Sequence, residues 1–253
     1  MRLDSENFAR YRKWIPSFLQ AGLIRIFYRF RAVVYRGYQV HCNCCNSQFR
    51  IYLPPHRECP GCGAQARHRL MLFYLKEKTD LFLQPYRLLH FAPEVSLERI
   101  LRSSSNIEYM SADLDSRRAM EKVDINDIQY ADESFDAILC SHVLEHIPRD
   151  LDAMRELYRV LVKGGWAILQ VPIDMNREET YEDFSITSPA GRAKHFGRYD
   201  HCRIYGRDYK KRLEQAGFEV KIDPYVRTFS PDEIEKYGLE DWEDVYFCTK
   251  LRR

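Results

Sequence analysis

The sequence predicts an α/β fold, in which helices cover a layered sheet, preceded by a small metal-binding module. From about residue 70 onward, apolar stretches typical of buried strands alternate with stretches typical of helices. Before that point, five of the eight cysteines lie between Cys42 and Cys62. A length of 253 residues accommodates one α/β domain with a small addition. We therefore expect an N-terminal arm at 1–36, a module at 37–69 and the α/β domain at 70–253.

The composition excludes several broad classes of protein. Hydrophobic residues make up 45% and charged residues 30% of the chain, which is normal for a folded soluble protein. The formal net charge of +2 predicts no partner from global electrostatics. No signal peptide fits the charged start, and no run reaches the roughly 20 apolar residues of a membrane span. We expect a cytoplasmic protein, with peripheral membrane contact as the one qualification.

That qualification comes from the N-terminal arm. After Pro16, apolar side chains recur at helical spacing, and arginines are interleaved with them. The apolar positions are Phe18, Leu19, Leu23, Ile26, Phe27 and Phe30, and the basic ones are Arg25, Arg29, Arg31 and Arg36. The favoured interpretation is a helix that packs its apolar stripe on the protein and leaves its arginines in water. The alternatives are contact with an anionic membrane surface or with nucleic acid.

The cysteine cluster indicates a structural metal site. Cys42 and Cys45 form one Cys-x-x-Cys pair, and Cys59 and Cys62 form another after a short connection. Two such pairs can surround one Zn²⁺ as a tetrahedron, which is typical of a zinc ribbon. Cys44 is out of register and is the expected spare. His41 and His56 are the substitute ligands.

Polar residues follow several predicted strands of the α/β domain. The strands are expected at 87–92, 107–113, 135–140, 167–171, 218–222 and 245–249, with helices at 96–101, 150–162 and 209–216. The strand ends carry His90–Glu94, Asp113, Asp124-Ile125 and Ser141–His146. Ligands of open α/β sheets bind beyond the carboxyl ends of the strands. These groups therefore outline a nucleoside-sized site.

Four stretches of this domain resemble the class I S-adenosylmethionine-dependent methyltransferases, in particular the type 11 group. They are Asp124-Ile125, Asp132–Asp136, Cys140–His146, and Glu156–Gly165 with its Arg-Val-Leu-Val-Lys-Gly-Gly ending. The resemblance covers about residues 87–250 and is most specific in its middle third. It implies a Rossmann-like seven-stranded sheet, S-adenosylmethionine as the cofactor and methyl transfer as the activity.

The first strand is followed by Phe91-Ala92-Pro93-Glu94, where the family has a glycine-rich turn. A turn without glycine suits a diphosphate poorly, which argues against NAD, whereas Glu94 could bind the ammonium of the methionine. The resemblance implies that Asp113 binds the ribose hydroxyls and that Asp124 faces the adenine amino group, with Ile125 against the ring. The remaining expected cofactor contacts are Phe91, Ala92, Leu114, Cys140 and His142.

Histidines supply the candidate bases for methyl transfer to a hydroxyl. His142 and His146 follow the fourth strand with Glu145 between them, and Glu145 with His146 could instead hold a divalent cation. A second polar cluster, at 180–206, resembles a block of uncharacterised zinc-ribbon methyltransferases and contains His201, the leading candidate base. Its expected substrate contacts are Asp183, His195, Asp200, Arg203 and Tyr205. The length of this segment predicts a loop that acts as a lid or binds substrate.

Three functions remain open from the sequence. The first is O-methylation of a small polar metabolite or sugar. The second is methylation of RNA gripped by the zinc ribbon and the basic arm. Cys140-Ser141-His142-Val143 stands where many enzymes that methylate base amines have an Asn-Pro-Pro-Tyr type tetrad, which favours the first. The third, a non-catalytic protein that binds zinc and cofactor, fits the clustered histidines least. The sequence predicts no oligomeric state.

Overall fold

The computed structural model describes residues 17–115 and 118–252. The chain forms two compact units. The first unit comprises the chain up to Leu83 together with Glu94–Ser104 and Pro224–Glu243. The second unit comprises Gln84–Pro93, Ser105–Asp223 and the residues from Asp244 onward. These divisions differ from the expected boundaries at 36/37 and 69/70, because two segments of the expected α/β domain belong to the first unit.

The second unit contains the predicted seven-stranded sheet. Its strands are β3 (Tyr86–Phe91), β4 (Ile107–Asp113), β5 (Glu121–Lys122), β6 (Phe135–Ser141), β7 (Leu161–Gln170), β10 (Glu219–Asp223) and β11 (Val245–Thr249). Their order is β10-β11-β7-β6-β3-β4-β5. The pairs from β7 to β5 are parallel, and β11 is antiparallel to both neighbours. This arrangement confirms the Rossmann-like prediction.

Continuous apolar runs explain the central strands. Leu88 and Leu89 of β3 are fully buried, as are Ala137 and Ile138 of β6. A strand that is buried on both faces needs such runs in place of alternating polar and apolar residues. Helices α4 (Asp150–Val160) and α6 (Tyr209–Gln215) also belong to this unit and contribute residues to its core.

The structure corrects the predicted end of one helix. We expected the helix to run from Asp150 to Val162 and to close at Lys163-Gly164-Gly165, but it ends at Val160, and β7 starts at Leu161. Main-chain hydrogen bonds explain the early start of the strand. The amide of Gly164 donates to the carbonyl of Lys250 at 2.7 Å, and the amide of Lys250 donates to the carbonyl of Gly165 at 3.1 Å. The glycines therefore belong to a strand, and Gly164 has the positive φ of 81° that glycine tolerates.

The first unit contains the cysteine module. Its elements are α1 (Ser17–Val34), β1 (Arg36–Cys42), β2 (Ser47–Phe49), α2 (Ala66–Glu77), α3 (Val95–Arg102) and α7 (Pro231–Tyr237). Arg69 of α2 is fully buried and binds four carbonyl oxygens, those of Ala64, Arg57, Tyr237 and Gly238. One guanidinium thus connects the module to the late segment of the chain, because its rigid fork offers five donors.

Helix α1 packs through a different face from the one the sequence predicts. Its buried guanidinium is that of Arg31, which lies 2.7 Å from the carboxylate of Glu58. Three apolar residues of the expected docking stripe are exposed, Leu23 by 38%, Ile26 by 63% and Phe30 by 56%, whereas Phe27 is half-buried. Val33 on the same face is exposed by 74%, and the side chains of Phe18 and Leu19 lie outside the described residues. The favoured interpretation of the arm was therefore wrong for Leu23, Ile26 and Phe30. Calls on the arm before Ser17 lie outside the described residues. Among the described helices, none is both long and apolar enough to cross a membrane.

Candidate active site and candidate metal centre

The carboxyl ends of β3 and β6 form the topological switch point of the sheet. The two strands are adjacent and parallel, with Phe91 opposite Cys140. From β3 the chain continues to β4 on one side, and β6 is followed by β7 on the other. Ligands of open α/β sheets bind at this point. The residues that follow the two strands, Ala92 and His142, both have a positive φ, of 48° and 57°.

Ala92 adopts the conformation that a glycine-rich turn would supply. Its amide donates a hydrogen bond to the carbonyl of Ala112 at 2.9 Å, which fixes the turn against β4. A left-handed conformation costs a residue with a Cβ about 1–2 kcal/mol. The chain therefore makes the bend that the family makes with glycine, although the sequence departs from the family at this position. Strain of this kind concentrates at functional sites.

Two of the predicted cofactor-binding acids lie at the same end of the sheet. Asp113 ends β4 and pairs with Lys122 of β5, and Asp124 follows Lys122 by two residues. The Oδ1 atom of Asp113 accepts a hydrogen bond from the amide of Asp115 at 2.8 Å, and Asp124 does the same with Asn126 at 2.8 Å. These local turns fix the direction of both carboxylates.

The other predicted cofactor contacts divide by burial. Phe91, Ile125 and Cys140 are 2%, 4% and 1% exposed, because their side chains belong to the hydrophobic core. Contacts to a cofactor would therefore come mainly from their main chains. Leu114 is 47% exposed. Glu94 belongs to the first unit, where its carboxylate lies 3.9 Å from the imidazole of His68.

A short turn after β6 carries the candidate base. His142 has its amide bonded to the carbonyl of Gln170 at 2.8 Å, and its Nδ1 lies 3.3 Å from Oε1 of Glu145. Glu145 is in a 3₁₀ turn, Leu144–His146, and is 1% exposed. A buried carboxylate next to an imidazole fixes the orientation of the ring.

His146 and His201 lie on the other side of the turn. Their rings meet edge to face with centroids 4.8 Å apart, and Nδ1 of His146 lies 3.2 Å from the carbonyl oxygen of Asp200. Burial lowers the pKa of His201, and the nearby Glu145 carboxylate opposes that shift. One ligand atom each from Glu145, His146 and His201 lie within 4.8 Å of one another. The structure thus brings together all three histidines that the sequence proposes as bases.

Two of the predicted substrate contacts are structural residues. Arg203 is 1% exposed, and its guanidinium donates to the carbonyls of Leu144, Ile147 and Pro148. Tyr205 is fully buried and donates to a carboxylate oxygen of Asp150 at 2.7 Å. Both side chains use their polar atoms inside the protein, so the prediction that they bind substrate was wrong. They hold the turn that carries Glu145 and His146.

The remaining predicted substrate contacts lie around a segment with its own secondary structure. The expected loop contains β8 (Tyr181–Glu182), α5 (Pro189–Phe196) and β9 (Arg203–Ile204), and β8 pairs with β9. Asp183 is part-buried, and a hydrogen bond from Ser185 lowers its pKa. His195 is exposed, and its Nδ1 lies 3.0 Å from the hydroxyl of Tyr181.

The four predicted metal ligands converge in the first unit. The sulfur atoms of Cys42 and Cys62 are 3.7 Å apart, and so are those of Cys45 and Cys59. A tetrahedron with metal–sulfur bonds of about 2.3 Å has edges of about 3.7 Å. The amide of Gly61 points at the sulfur of Cys59 at 3.4 Å, as in a metal-binding knuckle. The four cysteines therefore fit a tetrahedral cation.

Comparisons with known proteins agree with the fold. Residues 99–169 match the family model described as a methyltransferase domain. An uncharacterized methyltransferase of Mycolicibacterium paratuberculosis is 32% identical over 95 residues, which are 38% of this chain and 36% of that protein. The 27-O-demethylrifamycin SV methyltransferase of Amycolatopsis mediterranei is 26% identical over 145 residues, covering 54% of this chain and 46% of that protein. The chain thus spans less than half the length of these relatives.

A solved structure supports the same fold. That of the cyclase SpnF superposes with a TM-score of 0.50 and 16% identity, covering 93% of this chain and 97% of that one. At this identity the likeness concerns the fold alone. The family match and the sheet order agree: the chain contains a methyltransferase domain with the Rossmann-like fold of the class I S-adenosylmethionine-dependent methyltransferases.

Sequence reasoning did not find the geometry around Glu145. Glu145 was named as a neighbour of two histidines and, with His146, as a possible cation ligand, whereas His201 was assigned to a separate cluster. Cys202 links the two segments, because its amide and thiol both donate to the carbonyl of Glu145, at 2.9 and 3.2 Å. The sequence offered one signal, since the segment of Glu145 and the segment of His201 each combine a histidine with a carboxylate. The two segments are separated by 55 residues or more, so no periodic pattern connects them.

Proposed function

We propose that the chain transfers a methyl group from S-adenosylmethionine to a hydroxyl group of a small polar molecule, with His142 as the general base. The observation that carries this proposal is the pair of His142 and Glu145 at the switch point. The side chain of His142 is 29% exposed, whereas the carboxylate of Glu145 that orients it is buried. An accessible imidazole held by a buried carboxylate is the arrangement that general-base catalysis requires.

The residues at the strand ends fit the cofactor. Asp113 and Asp124 would accept hydrogen bonds from the ribose hydroxyls and the adenine amine, and Ala92 would bring its main chain close to the ligand. The ends of β4 and β5 supply two carboxylates in one region, and the turn after β3 has no glycine-rich cradle for a diphosphate, which favours a cofactor without phosphate. When bound, S-adenosylmethionine supplies an electrophilic methyl group.

O-methylation is favoured over the other chemistries for two reasons. A hydroxyl nucleophile gains from a base, which contributes about 10²–10⁴-fold in rate, and a histidine stands at this position. The Amycolatopsis relative is named for methylating 27-O-demethylrifamycin SV, a reaction at oxygen. The cyclase SpnF has a similar fold and is named for a different reaction, so the fold alone does not determine the chemistry.

We also propose that Cys42, Cys45, Cys59 and Cys62 bind one structural Zn²⁺. Four cysteines fill a tetrahedron and leave no open position for a substrate. Cys44 stays outside the set, because its thiol donates to the carbonyl of His68 at 3.8 Å. Binding of about 10–16 kcal/mol would stabilise a module whose two strands have only seven and three residues.

Calorimetry with S-adenosylhomocysteine tests the cofactor site. Asp113→Ala and Asp124→Ala should each weaken binding by about 10–150-fold, because a charge-assisted hydrogen bond contributes about 1.5–3 kcal/mol. Asp127→Ala removes an exposed acid close to Asp124 and should bind like the parent protein. If the parent protein gives no binding heat, or the three variants bind alike, the assignment of the cofactor site is wrong.

Product analysis tests the activity. The protein would be incubated with labelled cofactor and a panel of polyols, phenols and sugars, with total RNA as a separate arm. His142→Gln should lower kcat by about 10²–10⁴-fold and leave the affinity for S-adenosylhomocysteine unchanged. Label transferred to RNA alone would contradict the proposed substrate class and support the RNA alternative. Equal turnover in the variant would contradict the role of His142.

We propose that helix α1 contacts an anionic membrane surface through its exposed stripe. Leu23, Ile26, Phe30 and Val33 lie on one face, and Arg25 and Arg29 beside them are exposed as well. Apolar side chains flanked by arginines suit the boundary between headgroups and acyl chains. Sedimentation with vesicles of phosphatidylserine should capture the protein, and Ile26→Ser with Phe30→Ser should abolish capture. Salt-sensitive binding to RNA that this double variant leaves unchanged would contradict the membrane proposal.

A further inference from the structure

We propose that Glu145, His146 and His201 bind a divalent transition-metal cation next to the proposed base. The three residues belong to the second unit and are distinct from the cysteine site. One ligand atom from each lies within 4.8 Å of the other two, which is close enough for all three to contact one ion. Two imidazoles and a carboxylate form a recurrent protein ligand set for catalytic zinc and for iron(II).

The independent observation is a buried carboxylate oxygen. Glu145 is 1% exposed, and its Oε2 atom has no hydrogen-bond partner among the described residues. The other oxygen, Oε1, faces His142 at 3.3 Å. Burying a carboxylate without partners costs several kcal/mol, which a cation beside Oε2 would offset. The carboxylate can therefore serve two groups, orienting His142 with one oxygen and binding the ion with the other.

The contacts of His146 prepare its ring for a metal. Because a carbonyl oxygen only accepts hydrogen bonds, Nδ1 of His146 must carry the proton that points at the carbonyl of Asp200. The lone pair then lies on Nε2. A carboxylate oxygen of Asp200 is also 3.6 Å from Nδ1. Metal-binding histidines commonly donate their other ring nitrogen to a carbonyl or a carboxylate in this way.

The protein holds these ligands in place before any ion binds. The turn of Glu145 and His146 is fixed by the three hydrogen bonds from Arg203, and Cys202 ties the segment of His201 to the carbonyl of Glu145. His201 is only 9% exposed. A set of ligands that is fixed in this way needs little rearrangement on binding, which favours a specific site.

Three protein ligands leave coordination positions open. In terms of the proposed function, on which this part of the inference rests, an open position would take the hydroxyl of the acceptor. Coordination lowers the pKa of the hydroxyl, so that its proton leaves to His142 or to water while the oxygen keeps its electron pair. This would restrict substrates to those that can place a hydroxyl beside both the ion and the base.

Metal analysis of the full chain tests the site without reference to activity. The protein would be stripped with chelating resin, loaded with excess Zn²⁺, desalted and analysed by mass spectrometry of the metal. Glu145→Gln and His201→Ala should each retain one equivalent less than the parent protein. His195→Ala removes an exposed histidine of the same unit and should retain the parent's content. His142→Gln, which removes a partner of a ligand, should weaken binding by about 10–100-fold in a competition with a chromophoric chelator.

The outcomes separate this inference from the proposed function. A folded Glu145→Gln variant with the parent's metal content would overturn the site, and circular dichroism decides whether it is folded. Equal metal content in all the variants would also overturn the site, whatever amount of metal the four cysteines bind. S-adenosylhomocysteine should bind the stripped protein normally. If S-adenosylhomocysteine does not bind, but Glu145→Gln and His201→Ala still retain one equivalent of metal less than the parent protein, the metal site is supported and the proposed function is wrong.

Discussion

Arg203 offers a quantitative test of how the candidate site is held. Arg203→Ala removes three hydrogen bonds of the guanidinium. Their acceptors are the carbonyls of Leu144, Ile147 and Pro148, at 2.9, 2.5 and 2.9 Å. The ion pairs with the buried Asp150 at 3.5 Å and with the partly exposed Glu182 at 2.9 Å are lost as well. Removing one partner of a buried ion pair costs about 3–5 kcal/mol, because charges and carbonyls are left without partners. We expect the free energy of unfolding to fall by that amount.

Urea unfolding followed by circular dichroism measures the effect. Arg203→Lys should recover less than half of the loss, because an ammonium has three donors and cannot reproduce the planar fork. Arg198→Ala is the matched control. That arginine is exposed and pairs with Asp200, so the expected loss is about 0–1 kcal/mol. If Arg203→Ala unfolds within about 1 kcal/mol of the parent protein, Arg203 does not hold the turn, and its assignment to substrate binding becomes open again.

Three further predictions concern other parts of the molecule. Cys62→Ser should lose zinc and lower the melting temperature, whereas Cys44→Ala should keep its zinc; loss of metal from both variants would contradict the ligand set. Ala92→Gly should leave stability unchanged or raise it by up to about 1 kcal/mol in urea unfolding, since glycine tolerates a φ of 48°, whereas a clear loss would contradict that geometry. Burial raises the pKa of Glu243 to about 7, so the folded state binds this proton more tightly than the unfolded state does. The free energy of unfolding should therefore fall as the pH rises from about 4.5 to about 7 and stay level above that. Glu243→Gln should remove this contribution when unfolding is measured at pH 5 and pH 8. A variant with the parent's pH dependence would contradict the prediction.

The sheet was predictable from the sequence because its strands are locally distinctive. Buried runs such as Leu88-Leu89 and the acids that follow them give a clear pattern, and parallel strands bring their carboxyl ends together. The four cysteines that converge on one point were predictable for a similar reason, since each pair lies within one short turn. Local spacing determines both features.

The sequence-based predictions were wrong where contacts between distant parts of the chain determine which side chains are buried. The pattern of helix α1 predicts that its apolar face is buried, but the ion pair between Arg31 and Glu58 turns the arginine inward. Arg203 and Tyr205 were read as substrate contacts because polar residues on a long segment suggest binding. In the turn they bind the carbonyls of Leu144, Ile147 and Pro148 and the carboxylate of Asp150, all more than 50 residues away along the chain, which no sequence pattern reveals.

The division of the chain into units has a practical consequence for anyone who would shorten the protein. The segment Pro224–Glu243 belongs to the same unit as the cysteine module, and there Tyr225 packs its ring on Tyr74 with centroids 5.3 Å apart and Phe229 packs on Phe73. A fragment that starts at residue 84 would keep Tyr225 and Phe229 but discard the helix that covers them. Two aromatic rings would then face water, and such a fragment is expected to aggregate. The helix α2 and the segment Pro224–Glu243 therefore have to be expressed in one chain.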